Sequence, residues 1–243
     1  MHLRILAVDP SRPGSFMTLI ASLCAPTNSR RCEAGPRFDL PRATRNSGDE
    51  FSATVSGALL VPVIRFAQSD DKLKGLGGIR VMFALSVDDG DPHGAVFADK
   101  ILLYSQRGTP PNHNPTLSKL SLTRNGVFYK DVAPGETLTL PLGTVYGVRP
   151  VLADGAREKY DTTDLQGRTV HLKEDPSYAF FTTPSAEFDR GTADEPIDGI
   201  APPDGLTRID AFSRGADAIN KIWVVVRDGR GGESWIAFPW TVP

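Results

Sequence analysis

The stretch that most constrains the fold lies at the end of the chain, Lys221-Ile-Trp-Val-Val-Val-Arg-Asp-Gly-Arg-Gly-Gly-Glu-Ser-Trp-Ile-Ala-Phe-Pro-Trp240. Two β-prone runs, Ile222 to Val226 and Ser234 to Phe238, flank Asp228-Gly-Arg-Gly-Gly232, whose glycines accept the positive φ that a tight reversal needs. Side chains alternate across a strand, so Trp223 and Val225 share one face while Val224 and Val226 take the other. A strand apolar on both faces belongs inside a sandwich or barrel and not on its rim. The hairpin is therefore expected as a core element of an all-β domain.

The rest of the chain fits that class. Short runs of Val, Thr, Leu and Phe recur with turn signals roughly every dozen residues, a spacing typical of sandwiches and not of βαβ units. With 23 glycines and 20 prolines in 243 residues, the sequence is turn-rich yet not low in complexity. Its length allows two domains, each with a core. We expect two β-sandwich domains of the immunoglobulin-like (fibronectin III/PKD-like) kind, at 1–106 and 113–243, with 107–112 as linker inside Arg107-Gly-Thr-Pro-Pro-Asn-His-Asn-Pro115. In the first domain Leu3 to Val8 and Phe16 to Leu23 read as a strand pair about a Pro10-Ser-Arg-Pro-Gly14 turn. Phe51 to Phe66 reads as short apolar runs broken by Gly57 and Pro62, with Leu59 to Ile64 buried. Ile79, Val81, Phe83, Leu85 and Val87 alternate on one side of a strand, and Val96 to Tyr104 is its partner. The second domain runs through Thr116 to Leu122, Val145 to Leu152, Tyr178 to Thr183 and Leu206 to Phe212 to the final hairpin.

A net charge of -2 argues against a sequence-independent nucleic-acid binder, so no nucleic-acid partner is expected. No run approaches the roughly 20 apolar residues of a membrane-spanning helix. Phe16 to Cys24 has the outline of a lipoprotein signal, but Asp9, Pro10 and Pro13 break its lead-in and the bulky Leu23 precedes the cysteine. We read it as a strand. Cys24 and Cys32 are the only cysteines, separated by a Pro- and Asn-containing stretch that favours a compact loop. A disulfide between them implies an oxidising compartment, and the alternative is two free thiols in the cytosol.

Several segments resemble uncharacterised bacterial envelope lipoproteins built from immunoglobulin-like domains. The resemblance rests on Leu3-Arg-Ile-Leu-Ala-Val8 with its following Pro-Gly turn, the Cys24/Cys32 pair, Asn112 to Leu117, and the runs Tyr178 to Thr183 and Trp223 to Gly232. Those proteins carry a lipobox, which is not evident here. The resemblance implies an immunoglobulin-like fold and a location in the cell envelope, periplasmic or extracellular, and no activity.

Candidate chemistry is sparse. His2, His93, His113 and His171 have no metalloprotease or zinc-module spacing. Asp88, Asp89 and Asp91, beside His93, form an acidic turn that offers oxygen ligands to Ca²⁺ but lacks the EF-hand register and its closing glutamate. The acidic stretch Asp189 to Asp204 reads as a surface loop. There is no Gly-x-Ser-x-Gly elbow, and Gly75-Leu-Gly-Gly78 has the wrong register for a phosphate loop. We assign no catalytic residue and expect no cofactor. Arg227 and Arg230 could meet an anionic polymer, although hairpin tips commonly carry charge for solubility; Trp235 and Trp240, next to Pro239 on a terminal strand, could stack on a sugar or dock a partner, with core or interdomain packing the preferred reading. The expected role is a non-catalytic structural or binding protein whose partner is a cell-surface protein or glycan. The competing expectation is a carbohydrate-active enzyme or carbohydrate-binding accessory module.

Overall fold

The computed structural model describes residues 1–12, 14–26, 32, 35–69, 74–75, 78–91, 94–104, 111–163, 166, 168–194, 206–213 and 220–243. Among them the chain is mostly antiparallel sheet with one helix. It divides into two compact units, Met1–Pro111 with Asp161–Val170, and Asn112–Tyr160 with His171–Pro243.

The first unit contains β1 (His2–Leu6), β2 (Phe16–Cys24), β3 (Arg37–Asp39), β4 (Ala43–Asn46), β5 (Glu50–Thr54), α1 (Gly57–Ser69), β6 (Lys74–Gly75), β7 (Gly78–Asp88) and β8 (Val96–Tyr104). Its sheet centres on β2 and β7, which pair antiparallel from Thr18 opposite Asp88 to Cys24 opposite Met82. β8 lines the other side of β7, as the alternation in Ile79 to Val87 implies. β3 and β4 both pair with β2.

Two expectations are corrected here. β1 does not pair with β2; it pairs with β5, His2 opposite Thr54, as a separate two-stranded ribbon. After β1 the chain folds into a polar turn in which the Asp9 carboxylate accepts from the Ser11 amide and from Arg12 Nε. The ribbon then lies over the sheet, with Ala7 and Phe51 closing a small core on Met17 and Leu19. Second, the Leu59 to Ile64 region is helical. The Ser56 carbonyl accepts from the Leu59 and Leu60 amides, opening the first turn. Buried Val63 and Ala67, with Leu59, Leu60 and Phe66 packed beside them, form a stripe at helical spacing. That stripe sits on Ala21, Leu23, Val81 and Phe83 of β2 and β7. Pro62 lies inside the helix, where it cannot donate to the Ala58 carbonyl; Ala58 is on the exposed side. Cys24 and Cys32 are joined in a disulfide, with Cα atoms 5.6 Å apart.

The second unit contains β9 (Leu117–Arg124), β10 (Val127–Val132), β11 (Leu138–Thr139), β12 (Val145–Leu152), β15 (Ser177–Thr182), β16 (Ala186–Phe188), β17 (Thr192–Asp194), β18 (Thr207–Ala211), β19 (Asn220–Arg227) and β20 (Glu233–Thr241), while β13 (Lys159–Thr163) and β14 (Thr169–Lys173) pair as a separate ribbon whose far end, from Asp161 to Val170, belongs to the first unit. Two five-stranded sheets, β10-β9-β12-β18-β16 and β11-β20-β19-β15-β17, make a sandwich. Leu120, Leu122, Tyr146, Val148 and Ile209 of one sheet share a single core with Tyr178, Phe180, Val224, Val226 and Phe238 of the other. The C-terminal hairpin is β19–β20, in register from Asn220 opposite Trp240 to Arg227 opposite Glu233. β19 is central in its sheet, and its outward Trp223 is buried as well, so the doubly apolar run lies inside as expected.

Candidate functional site

The densest polar cluster surrounds the tip of the β19–β20 hairpin. Asp228 is 1% exposed and heads the reversal, a position that Asp favours because its side chain can satisfy nearby backbone amides. Its Oδ1 accepts from the amides of Arg230 (2.7 Å) and Gly232 (2.9 Å), and its Oδ2 accepts from Asn112 Nδ2 at 2.7 Å. Gly232 is required by space: a Cβ there would stand 2.8 Å from Asp228 Cγ and 2.9 Å from Asn112 Nδ2. The tip thus grips the segment leading into β9, which is further held by the Glu233 amide on Asn114 Oδ1 and by the Ser234 hydroxyl on the Pro115 carbonyl.

Arg230 then reaches inward. Its Nη1 donates to Glu174 Oε1 at 3.0 Å and to Glu158 Oε2 at 3.2 Å, and its guanidinium lies 4.2 Å from the centre of the Tyr160 ring. The Glu174 side chain has no solvent exposure; its other oxygen accepts from the Glu158 amide and its carbonyl accepts from Arg157 Nε. Glu158 Oε1 lies 2.5 Å from His113 Nδ1. Hydrogen bonding from the His113 ring holds the Glu158 carboxyl below the usual carboxylate range; burial opposes it, and the His113 amide and the charges of His113 and Arg230 add to the lowering. Two carboxylates, one guanidinium and one aromatic face therefore close on each other. A substrate would have to displace Arg230 to lie between the carboxylates, so the arrangement is suited to holding three chain segments together.

The residues singled out in the sequence have different fates. Arg230 is the hub of this cluster. Arg227 is half-exposed on the outer face of its sheet, where Nε donates to Glu233 Oε2 at 3.0 Å. Trp235 is half-buried on that same outer face, opposite Val225 and on the side that also carries Phe181, 45% exposed. Trp240, at 2% exposure, belongs to the sandwich core, as the preferred packing reading has it, because its place in β20 points it inward with Phe238; the candidate binding role is overturned, since its ring cannot meet a sugar or partner.

In the first unit, Arg12 lies among the acidic groups. Its Nη2 contacts the carboxylates of Asp89 and, at 3.6 Å, Asp91, while Nε takes Asp9. Asp88 Oδ1 accepts from the Gly90 amide. The carboxylates proposed for Ca²⁺ thus face a guanidinium and the turn's backbone; among the described residues no cluster of three or more His, Cys, Asp or Glu side chains is arranged to hold a metal. His93 and the stretch 195–204 lie outside the described residues. Glu158, Glu174, Asn112 and His113 carry no local signal of a site, since the contacts that gather them span from 16 residues, between Glu158 and Glu174, to 116, between Asn112 and Asp228. The legible signal was Asp228 followed by Gly-Arg-Gly-Gly.

A second feature is apolar. Of the large hydrophobic side chains exposed in the second unit, Val127 (68%), Phe128 (63%) and Tyr129 (46%) are consecutive on β10, at the outer edge of its sheet. Val145 (46%) begins β12; since Gly147 pairs with Thr123, it lies level with the β9–β10 turn.

No helix among the described residues is long and apolar enough to cross a membrane. The chain matches no protein-family model and no curated protein sequence.

Proposed function

We propose that this chain is a non-catalytic binding protein of the cell envelope or exterior, and that its second unit is an immunoglobulin-like sandwich. The observation that carries the reading is the strand order. β9, β12, β18 and β16 follow the A-B-E-D order of one immunoglobulin sheet, and β15, β19 and β20 the C-F-G order of the other. β11 pairs parallel with β20, Leu138 opposite Trp240, as a short extra strand on that second sheet. The first unit, with α1 and the β1–β5 ribbon over one sheet, departs from that plan.

Two further points favour binding over catalysis. The paired carboxylates of the second unit's cluster, Glu158 and Glu174, are bridged by Arg230, and the Glu174 side chain is sealed from solvent. Exposed apolar side chains instead gather on a rigid strand edge, the usual mark of a contact surface. The Cys24–Cys32 disulfide is compatible with an oxidising, extracytoplasmic location. The test is to fractionate the native cells and alkylate before and after reduction. Protein in the envelope or medium with both cysteines protected until reduction is expected; cytoplasmic protein with both thiols free overturns the location. A carbohydrate-binding role is favoured by one observation, Trp235 and Phe181 sharing the outer face of one sheet. Retention on polysaccharide columns that is lost in Trp235→Ala would establish it.

A further inference from the structure

We propose that the β9–β10 hairpin docks the protein onto an anionic lipid bilayer surface. The inference deepens the reading of this chain as a binding protein, and rests on it, by assigning the class of partner.

The hairpin is a firm projection. Asn125 and Gly126 both adopt positive φ, 53° and 75°, so the turn is tight, and the two strands pair from Arg124 opposite Val127 to Leu120 opposite Val132 with one bulge between Phe128 and Lys130. Its base is anchored in the sandwich: Val132 is fully buried, and the Tyr129 ring sits 5.3 Å from that of the core residue Tyr146. From this base Tyr129, Phe128 and Val127 lead outward to the turn, all exposed, with Phe128 on the opposite face of the strand from Val127, and Val145 lies beside the turn.

The edge of β10 is unsuited to receiving another strand. Its register slips between Phe128 and Lys130, and a bulge together with an edge lysine is a standard means of blocking strand addition. The apolar side chains, and not the backbone edge, are therefore the docking element. From Thr116 to Lys130 the sequence has Lys119, Arg124 and Lys130 and no acidic residue. The first acid, Asp131, is neutralised by Lys119 at 2.5 Å. Arg124 and Lys130 flank the apolar triplet and have no carboxylate partner among the described residues. The other acids on this sheet, Asp210 of β18 and Glu187 of β16, lie three and four strands from β10. At about 4.8 Å per strand they are roughly 14 and 19 Å from β10, beyond a Debye length of about 8 Å at physiological salt, although Asp210 stands opposite Val145 at the inner margin of the patch. A hairpin with a short apolar crest between two cations, on a chain of net charge -2, matches the boundary between acyl chains and anionic headgroups.

The test is cosedimentation of the full chain with sucrose-loaded vesicles of phosphatidylcholine alone or mixed with phosphatidylglycerol. Binding to the mixed vesicles is expected, weakened by added salt, and little to phosphatidylcholine alone. Val127→Ser/Phe128→Ser should lower the partition coefficient by at least about tenfold. Arg124→Gln/Lys130→Gln should lower it by about fivefold per charge removed. Val127, Phe128 and Arg124 are exposed and Lys130 is partly so, and unchanged melting temperatures verify that the variants fold. Failure to bind either vesicle, equal binding to both, or variants that bind like the parent would overturn the proposal. A chain that ignores vesicles but forms a dimer broken by Val127→Ser/Phe128→Ser would overturn the lipid assignment and leave the binding-protein reading standing. Cytoplasmic protein with free thiols would sink the proposed location without bearing on vesicle affinity.

Discussion

Arg230 sits at the tip of a glycine-rich reversal, where a basic residue ordinarily serves solubility, and instead reaches a fully buried Glu174 and a Glu158 held by His113. Removing one member of such a buried pair leaves the other charge without compensation, at a cost of about 3–5 kcal/mol. Arg230→Ala should therefore destabilise the second unit by about 3 kcal/mol in denaturant titration, whereas Arg227→Ala, half-exposed in a cross-strand pair, should cost less than about 1 kcal/mol. Equal losses would mean that the Glu174 contact carries no special weight. Protonation tests the same clamp. The folded-state pKa of Glu158 is depressed, by His113 first. At Asp189 burial pushes the carboxyl up, but the Arg208 amide, the Thr207 hydroxyl and the charges of Arg190 and Arg208 outweigh it and leave it lowered. A depressed carboxyl contributes stability that is fully present above its unfolded value, about 3.9 for Asp and 4.3 for Glu, and is lost as pH falls through the folded value. Stability should thus hold from neutrality to about pH 5 and drop below about pH 4, with a smaller drop in Glu158→Gln/Asp189→Asn. Identical acid profiles would contradict the assignment. Of this cluster only Arg230 was legible in the sequence, since the turn pattern marks the tip but nothing local says that positions 112, 113, 158 and 174 converge on it. Trp240 shows the converse: packing is the preferred reading despite the neighbouring Pro239, and the inward phase of β20 that it shares with Phe238 accounts for its burial.

The strands followed from alternation and turn residues, and the C-terminal hairpin, β7 and β8 lie where the pattern put them. The helix did not, although Leu59, Leu60, Val63, Phe66 and Ala67 carry a helical period. Gly57 and Pro62 obscured it, because both are read as breaks. Their cost was overridden by packing against β2 and β7, and the carbonyl that Pro62 leaves unpaired belongs to Ala58 on the exposed side. Pairing was the other illegible quantity: a strand's pattern specifies its faces but not its neighbour, so β1 was assigned to the next strand in sequence when its partner is β5. The helix yields a prediction of its own. Proline costs about 3 kcal/mol relative to alanine in a helix interior, offset by about 0.4–1 kcal/mol of lost unfolded-state freedom. Pro62→Ala should therefore stabilise the first unit by about 2 kcal/mol, measured by urea unfolding, and a destabilised variant would show that the packing of the helix depends on its proline.

At the scale of the whole chain, the second unit is built around one core joining both faces of its sandwich, while the first has two smaller ones, under α1 and under the β1–β5 ribbon. The devices that reinforce them are equally separate. The disulfide lies in the first unit, and the Arg230 clamp in the second. Closing a loop of this length with a disulfide stabilises by roughly 2–3 kcal/mol, most of it through restriction of the unfolded chain. Separate cores and separate reinforcements lead to separate transitions, so calorimetry should resolve two components and not a single two-state peak. Reduction, or Cys24→Ser/Cys32→Ser, should lower one component by several degrees and leave the other in place. Arg230→Ala should do the opposite, moving only the component that reduction spares. If either change shifted both components together, the two units would be unfolding as one cooperative block, and the division of the chain into independent bodies would fail.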